Sequence, residues 1–420
     1  MKKFLLMLGA VALMTACSDD GGGSGNVSIN YEEGYKYLSS LNVSDAKMIY
    51  QKTSGTSMKS RAAGDEDGTY YKLDLNGEES KLVIKAEDGQ DYNIRIDKII
   101  KLNDEILMVN PNLSDIIDLI YKPDPNSEDE PAMIVHANGY LCLVNIKTEK
   151  IYKWPKEVIV NLSDEGAFES TSDNQGNIYF AGREYLNSTG YNQIYKLNPN
   201  DFTIQKMLPN NVTWNGFTVT GNGFIVYWNN SGGEWFVKCP AGNIVPIYGN
   251  STFVLDGDLY SVKGTEIVKY ETIGDNAVEE EVICEVPDDG DFYVDGRFVQ
   301  NHVRKSILLN SYYEFDGTKC TKLENPVSIG DLSTSKAWYT FGSSSYTKIS
   351  MTDYQESQIQ ITEYYMQDIS ASPESPNITF TGFRYSDGAN VVGTIDENDK
   401  ITIDNVSDNG EKIINLIPLN

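Results

Sequence analysis

Histidine is almost absent from this chain, and the motifs that carry most enzymatic chemistry are absent too. Only two histidines occur among 420 residues, His136 and His302, and neither belongs to an HxH or HExxH pattern. Catalytic triads with a histidine base and histidine-rich metal sites are therefore disfavoured. Glycine-rich phosphate-binding loops and a G-x-S-x-G nucleophile elbow are also missing. The sequence therefore does not support a nucleotide-binding protein or an enzyme with a serine nucleophile.

Positive charge is scarce as well. Lysine and arginine number 34 against 61 aspartates and glutamates, so the formal net charge is −27 at pH 7. Phosphate backbones and anionic lipid surfaces repel such a chain, which argues against nucleic acid as a partner. A mechanism that needs only carboxylates, such as glycoside hydrolysis by two acids, stays open, although acids are too numerous for any pair to stand out.

A continuous apolar run lies near the N-terminus, but it is too short to span a membrane. Lys2 and Lys3 precede an apolar stretch over residues 4–16, whereas a membrane helix needs about 20 apolar residues. This pattern predicts a secretory signal at residues 1–16. The run ends Met-Thr-Ala-Cys17, which resembles the lipobox of bacterial lipoproteins. The resemblance implies that Cys17 is acylated, as with palmitate, and becomes the first mature residue.

The residues after Cys17 indicate a surface location. Ser18-Asp19-Asp20 followed by a Gly/Ser-rich stretch resembles the acidic export tag of Bacteroidota surface lipoproteins. Residues 17–34 are then a lipidated flexible tether. The resemblance implies attachment to the outer membrane through lipid, with the folded part facing the cell exterior.

Beyond the tether, the pattern is all-β. Turns of Gly, Asn or Asp alternate with runs of about five β-branched and aromatic residues, as in QGNIYFAG, GNGFIVYW and DGDLYSV, and each run reads as a strand. The chain has 27 Tyr and 35 Gly but only 14 Pro. Grouped in fours, the strands give units of about 40 residues, the length of a propeller blade.

We therefore predict a single β-propeller of four-stranded blades over residues 35–420. Eight blades are favoured and seven are the alternative; a pair of β-sandwiches would use the same strands but not their steady grouping. The repeats, in the style GNIYF...QIYKLNP, resemble the β-propeller lipoproteins of Bacteroidota, many of unassigned function. The eight blades are placed at 35–88, 91–156, 165–209, 210–249, 250–287, 288–326, 327–365 and 366–420.

Cysteine and the acidic turns offer few metal ligands. This map separates Cys142, Cys239, Cys284 and Cys320 into different blades, and without a CxxC pair we expect buried free thiols. We predict no cofactor. Calcium is the alternative, because three acidic turns supply the oxygen ligands it prefers, but none has EF-hand spacing, and such turns also suit hairpins. They are Asp65 to Gly68, Asp288 to Asp291 and Asp396 to Asp399.

The candidate binding site lies on the connections between the second and third strands of the blades. These vary most in length, they emerge on one face of a propeller, and one-sided insertions often mark a binding face. Trp228 and Trp235 flank one of them, and a hairpin would bring their indoles together with Asn229 and Asn230 between them. Aromatic faces and amides are the components of a sugar site. Corresponding connections carry the remaining candidates, Tyr121, Tyr185 and Tyr191.

These features favour a surface-exposed lipoprotein that binds glycan or protein ligands, more a binding module than an enzyme. Two alternatives stay open. One is a structural partner of an envelope complex, and the other is a polysaccharide-active enzyme that depends on carboxylates.

Overall fold

Alternating apolar residues between short polar turns pair into eight separate four-stranded antiparallel sheets, each following the last around a ring. The predicted β-propeller is confirmed, and its blades number eight. In this computed structural model the described residues are 31–54, 68–121, 138–155, 158–160, 170–186, 189–209, 212, 214–229, 234–239, 244–247, 251–273, 277–287, 298–407 and 411–419. The predicted signal at 1–16, the predicted acylation site Cys17 and the predicted tether up to residue 30 lie outside them.

Strands are numbered along the chain, and each blade uses strands A to D in its sheet order. The first four blades are blade one, with β2 (Ala46–Ser54), β3 (Thr69–Asp74), β4 (Glu79–Lys81) and the last strand of the chain; blade two, with β6 (Ile96–Lys101), β7 (Ile106–Pro111), β8 (Cys142–Asn145) and β9 (Ile151–Lys153); blade three, with β10 (Ser170–Ser172), β11 (Ile178–Leu186), β12 (Thr189–Leu197) and β13 (Ile204–Lys206); and blade four, with β14 (Trp214–Val219), β15 (Ile225–Asn229), β16 (Glu234–Lys238) and β17 (Ile244–Ile247).

The remaining blades follow the same order. They are blade five, with β18 (Ser251–Leu255), β19 (Asp258–Lys263), β20 (Glu266–Ile273) and β21 (Ala277–Glu285); blade six, with β22 (Phe298–Asn301), β23 (Ser306–Leu309), β24 (Tyr313–Phe315) and β25 (Cys320–Lys322); blade seven, with β26 (Leu332–Ser333), β27 (Ala337–Phe341), β28 (Ser345–Ser350) and β29 (Glu356–Gln360); and blade eight, with β30 (Tyr364–Ala371), β31 (Ile378–Arg384), β32 (Asn390–Ile395) and β33 (Ile401–Val406).

The ring closes through the last strand, β34 (Glu411–Pro418), which pairs with β2 and becomes strand A of blade one. The blade map assigned this segment to blade eight, which instead ends at Val406. A strands of neighbouring blades contact one another, as β10 does with β14 and β30 does with β34, which places them toward the axis. Blade one thus takes its inner strand from the other end of the chain.

The two faces of the ring are built differently. A–B and C–D connections share one face, here called the turn face, because successive strands are antiparallel; B–C and D–A connections share the other, the loop face. Side-chain oxygens close the tight connections of the turn face by accepting backbone N–H groups. These acceptors are Asn103, Asp173, Thr220, Asn301 and Thr334 in A–B turns and Asp74, Asn145, Asp201, Asp316 and Asp396 in C–D turns.

The loop face holds the long connections and the start of the described chain. Helix α1 (Tyr31–Gly34), a 3-10 helix (Tyr35–Tyr37), β1 (Ser40–Leu41) and β5 (Ile84–Lys85) run beside blades one and two, and α2 (Leu113–Ile120) lies in the B–C connection of blade two. The four residues of α1 fall inside the segment predicted as tether.

The N-terminal segment is fixed to blade two. The Tyr35 hydroxyl donates to the Leu141 carbonyl over 2.8 Å, and a Cβ on Gly34 would clash with the Tyr140 ring. Farther on, β1 pairs with β5, and Ser40 bridges to Lys150 beside β9. None of the helices among the described residues is long and apolar enough to cross a membrane.

Candidate functional site

Exposed aromatic side chains segregate to the loop face. In the part of the chain that the structure describes, Tyr92, Tyr312 and Tyr385 are the clearly exposed aromatics, at 36%, 49% and 50%. Tyr92 lies in the D–A connection before blade two, and the other two lie in the B–C connections of blades six and eight. The exposed large aliphatic residues lie elsewhere, on the turn face or on outermost strands; they are Leu75, Val282, Val303 and Val406.

The predicted tryptophan pair forms on this face. Trp228 of β15 and Trp235 of β16 are directly opposed across the hairpin of blade four, and their ring centroids lie 5.3 Å apart in an edge-to-face arrangement. Both are half-buried. Both project from the same face of blade four as Val226. Val226 and Leu259 of blade five belong to one buried apolar cluster, and Trp235 packs against this cluster. Its indole Nε1 is buried without a hydrogen-bond partner.

The amides do not accompany the indoles. Asn229 pairs with Glu234 and, on its other side, with Trp214. Because side chains alternate along a strand, Asn229 points to the opposite face of blade four from Trp228. The predicted arrangement of amides between the two rings is therefore not formed by this residue. Asn230 lies outside the described residues.

The predicted tyrosines occupy different kinds of structure. Tyr185 and Tyr191 were expected in a loop, but they lie in β11 and β12, where Tyr185 pairs with Gly190 and Glu184 with Tyr191. The two strands stay paired up to Leu186 and Thr189, close to the hairpin tip. The side chains of Tyr185 and Tyr191 lie outside what the structure describes. Tyr121 is half-buried at the C-terminal cap of α2. Residues 122–137, including His136, lie outside the described residues.

Sequence reasoning missed a second aromatic group, on blade eight. Tyr365 of β30 pairs with Phe383 of β31, with ring centroids 5.1 Å apart in a stacked arrangement. Phe383 in turn meets Tyr385 edge-to-face at 5.7 Å. The sequence signal for this group is a pair of aromatic residues, Phe383 and Tyr385, two positions apart and shortly before an Asp-Gly turn. Blades four and eight are opposite each other in a ring of eight, so the loop face carries two aromatic groups on opposite sides.

A cleft of about 230 Å³ opens on the turn face between blades four and five. Its walls include Phe224 and Leu259, which belong to the same apolar cluster as Trp235. Lys269 lies at its rim, 2.9 Å from the Asp258 carboxylate, and a hydrogen bond with Asp258 raises the pKa of Lys269. The cation is therefore already paired within the chain.

Two carboxyl groups meet elsewhere on the turn face. Asp104, in the A–B turn of blade two, and Glu374, in the A–B turn of blade eight, share a hydrogen bond, which raises the pKa of Glu374 and lowers that of Asp104. Lys101 lies 2.6 Å from Asp104. Glycosidase carboxyl groups stand about 5 Å or more apart, so this pair does not have their geometry.

One predicted acidic turn can be inspected for calcium ligands. Asp399 accepts from the Tyr346 hydroxyl at 3.0 Å and from Lys348 Nζ, while Asp396 caps its own turn. These oxygens are occupied by donors of the chain. The turns at 65–67 and 288–291 lie outside the described residues, and within those described no group of three or more His, Cys, Asp or Glu is arranged to hold a metal. Burial lowers the pKa of His302, in the A–B turn of blade six.

Comparison with known proteins adds no function. The chain matches no protein-family model and no curated protein. Solved structures similar to it include an inactive virginiamycin B lyase from Staphylococcus aureus, at 17% identity and a TM-score of 0.33, covering 58% of this chain and 86% of that one. TolB from Acinetobacter baumannii is 9% identical, with a TM-score of 0.31 and coverage of 88% and 66%. A eukaryotic initiation factor is 10% identical, with a TM-score of 0.43 and coverage of 90% and 100%. The fold assignment rests on the sheet topology, and none of these likenesses assigns a ligand.

Proposed function

We propose that this protein is a lipid-anchored binding module of the outer membrane that presents its loop face to a glycan or protein ligand at the cell exterior. The observation that carries the binding role is the segregation of exposed tyrosines to that face. Exposed aromatic rings gathered on one surface are typical of interaction sites, whereas scattered aliphatic residues need no explanation. The paired rings of Trp228 and Trp235 and the group around Tyr385 extend the same surface.

The chemistry of these rings favours a glycan. The faces of Tyr and Trp rings accept the C–H surface of a sugar, and the phenol hydroxyls at their edges donate and accept hydrogen bonds. Two aromatic groups on opposite sides of the ring suit an extended polymer that contacts both. A protein ligand is the other outcome, since Tyr and Trp are also enriched at protein interfaces.

The position of the N-terminus supports anchoring on the same side. Tyr31 begins the described chain beside α2 on the loop face, and residues 17–30 would connect it to the lipid. A flexible segment of that length has a root-mean-square span of about 20 Å and a fully extended reach of about 50 Å. The loop face would therefore stay near the bilayer, where a ligand passing to a membrane transporter is captured.

Binding is tested by affinity electrophoresis of the full chain in gels that contain starch, xylan, pectin or mucin. Retardation by one polymer is expected, and Trp228→Ala and Tyr385→Ala should each weaken it about tenfold or more. Leu75→Ala is the matched control, since it removes an exposed apolar side chain from the turn face. Equal retardation of all three variants would remove the loop face as the glycan site. Absence of retardation combined with cross-linking of Tyr385 to one envelope protein would assign a protein ligand.

Anchoring is tested separately. Cys17→Ser should abolish acylation and release the protein from the membrane fraction, whereas Cys142→Ser should leave both unchanged. Replacement of Asp19 and Asp20 by Ala should retain the lipid but reduce cleavage by external protease on intact cells. A Cys17→Ser protein that stays in the membrane at unchanged mass contradicts the lipid anchor. Equal cleavage of the Asp19/Asp20 variant contradicts the export tag.

A further inference from the structure

Two cysteines that the sequence places in different blades face each other across the boundary between blades five and six. Cys284 lies in β21 and Cys320 in β25, the outermost strands of their blades. Both are half-buried against one apolar cluster that fills this boundary. The four cysteines of the described residues are free thiols, as predicted, but Cys284 and Cys320 belong to neighbouring blades, which pack face to face.

The strand register shows why the two side chains face each other. Cys284 is directly opposed to Ile267, and Cys320 is directly opposed to Phe315. Cross-strand partners project to the same face of a sheet, and Ile267 and Phe315 are both fully buried in the cluster between the blades. Each cysteine therefore projects from its own blade into the boundary with the other. The Cys284 thiol also accepts a hydrogen bond from the backbone N–H of Cys320.

We propose that Cys284 and Cys320 form a disulfide that joins the outer strands of blades five and six when the protein meets a disulfide oxidant. The Cys284 thiolate attacks the oxidant, forming a mixed disulfide and releasing one reduced thiol. The Cys320 thiolate then attacks Cys284 Sγ, which closes the bond and releases the second thiol. The two cysteines lose two protons and two electrons, and the electrons reduce the oxidant to two thiols.

The buried environment of the two thiols should make formation of this disulfide slow. Burial raises the pKa of the Cys320 thiol to about 12 and also raises that of Cys284, although the Cys320 N–H opposes the second shift. Because the thiolate is the nucleophile, the rate of closure should rise about tenfold per pH unit between pH 7 and pH 9. Cys142 and Cys239 are fully buried in other blade boundaries.

The test uses the full chain, reduced and then incubated with oxidised glutathione at pH 8.5. Remaining thiols are alkylated under denaturing conditions, and peptides are identified by mass spectrometry. We expect a peptide pair linked through Cys284 and Cys320, and a melting temperature higher by a few degrees than that of the reduced chain. Cys142→Ser and Cys239→Ser should retain the linked pair, whereas Cys284→Ser and Cys320→Ser should lose it.

Two results would overturn the proposal. One is full alkylation of both Cys284 and Cys320 after oxidation of the folded chain. The other is a stable glutathione adduct on Cys284 that never converts to the linked pair, because Cys320 would then lie out of reach. Since the oxidant is supplied, the outcome does not depend on lipidation or on the loop-face ligand.

Discussion

Asn405 on the outermost strand of blade eight donates a hydrogen bond to the hydroxyl of Tyr50 in blade one, over 2.7 Å. The same amide donates to Glu79 Oε2 at 2.5 Å, and Lys52 Nζ lies 2.7 Å from Glu79 Oε1. This network joins the first and last blades on the outer side of the ring, while β34 joins them near the axis. The ring is therefore closed at two radii.

Removing the amide should weaken the closure. Asn405→Ala leaves the buried Tyr50 hydroxyl with one partner fewer, and we expect a loss of about 1 kcal/mol in the free energy of unfolding, measured in urea. Asn398→Ala is the matched control, because that exposed amide lies in a turn of the same blade. Equal stability of the two variants would contradict a role for Asn405 in closure.

Acid should weaken the same network. Burial alone would raise the pKa of Glu79, but hydrogen bonds from Lys52, Tyr50 and Asn405 outweigh it, and the net pKa is lowered. A carboxyl group with a lowered folded pKa stabilises the fold above its unfolded pKa, and this contribution is lost as the pH falls through the folded value. Glu79→Gln should therefore reduce the loss of stability below about pH 4.5. An unchanged pH profile of the melting temperature would sink this idea.

Truncation tests closure near the axis. A chain that ends at Ser407 lacks β34, which exposes the edge of β2 and uncovers β30, β31 and β32 of blade eight. We expect a melting temperature lower by about 10 °C or more, or loss of cooperative unfolding, because a whole inner strand is removed. Adding the peptide 409–420 in trans should restore part of the stability. A truncated chain that melts with the full chain is incompatible with closure by β34.

Replacement of each of the two tryptophans should reduce the free energy of unfolding by a different amount. Trp235 packs against the cluster between blades four and five, and Trp235→Ala should cost about 2 to 4 kcal/mol, somewhat below the range for a fully buried Trp. Trp228 is not among the residues that pack against that cluster, and Trp228→Ala should cost about 1 kcal/mol. Equilibrium unfolding of both variants decides this. If Trp228→Ala proves the costlier, Trp228 and not Trp235 is the tryptophan that packs into the core.

The shared hydrogen bond of Asp104 and Glu374 predicts a gain of stability. A raised folded pKa means that Glu374 stabilises the fold while protonated, and this contribution is lost as the pH rises through that value. Glu374→Gln keeps a donor toward Asp104 without a charge. It should raise stability at pH 7 by less than about 1 kcal/mol, since solvent screens both groups, and leave stability at pH 4 unchanged. A variant less stable at pH 7 would contradict the pairing.

Local signals in the sequence were sufficient for the architecture. Turns such as the one at Asp173 recur with a side-chain acceptor and a following apolar run, so strands, hairpins and the count of eight blades could be predicted. The pleat also determined that Asn229 points away from Trp228, although residue type alone suggested otherwise. Pairings between distant segments had no local signal: the pairing of β34 with β2 depends on ring closure, and the approach of Cys284 to Cys320 depends on how two blades pack.

Closure by the last strand has a consequence for how the chain is made. Met48 pairs with Pro418, so the inner strand of the first blade is synthesised long after the strand with which it pairs. Contacts between residues so far apart form slowly and only when both partners are present. A nascent chain would therefore remain an open arc, without its final fold, until β34 is also available to pair with β2.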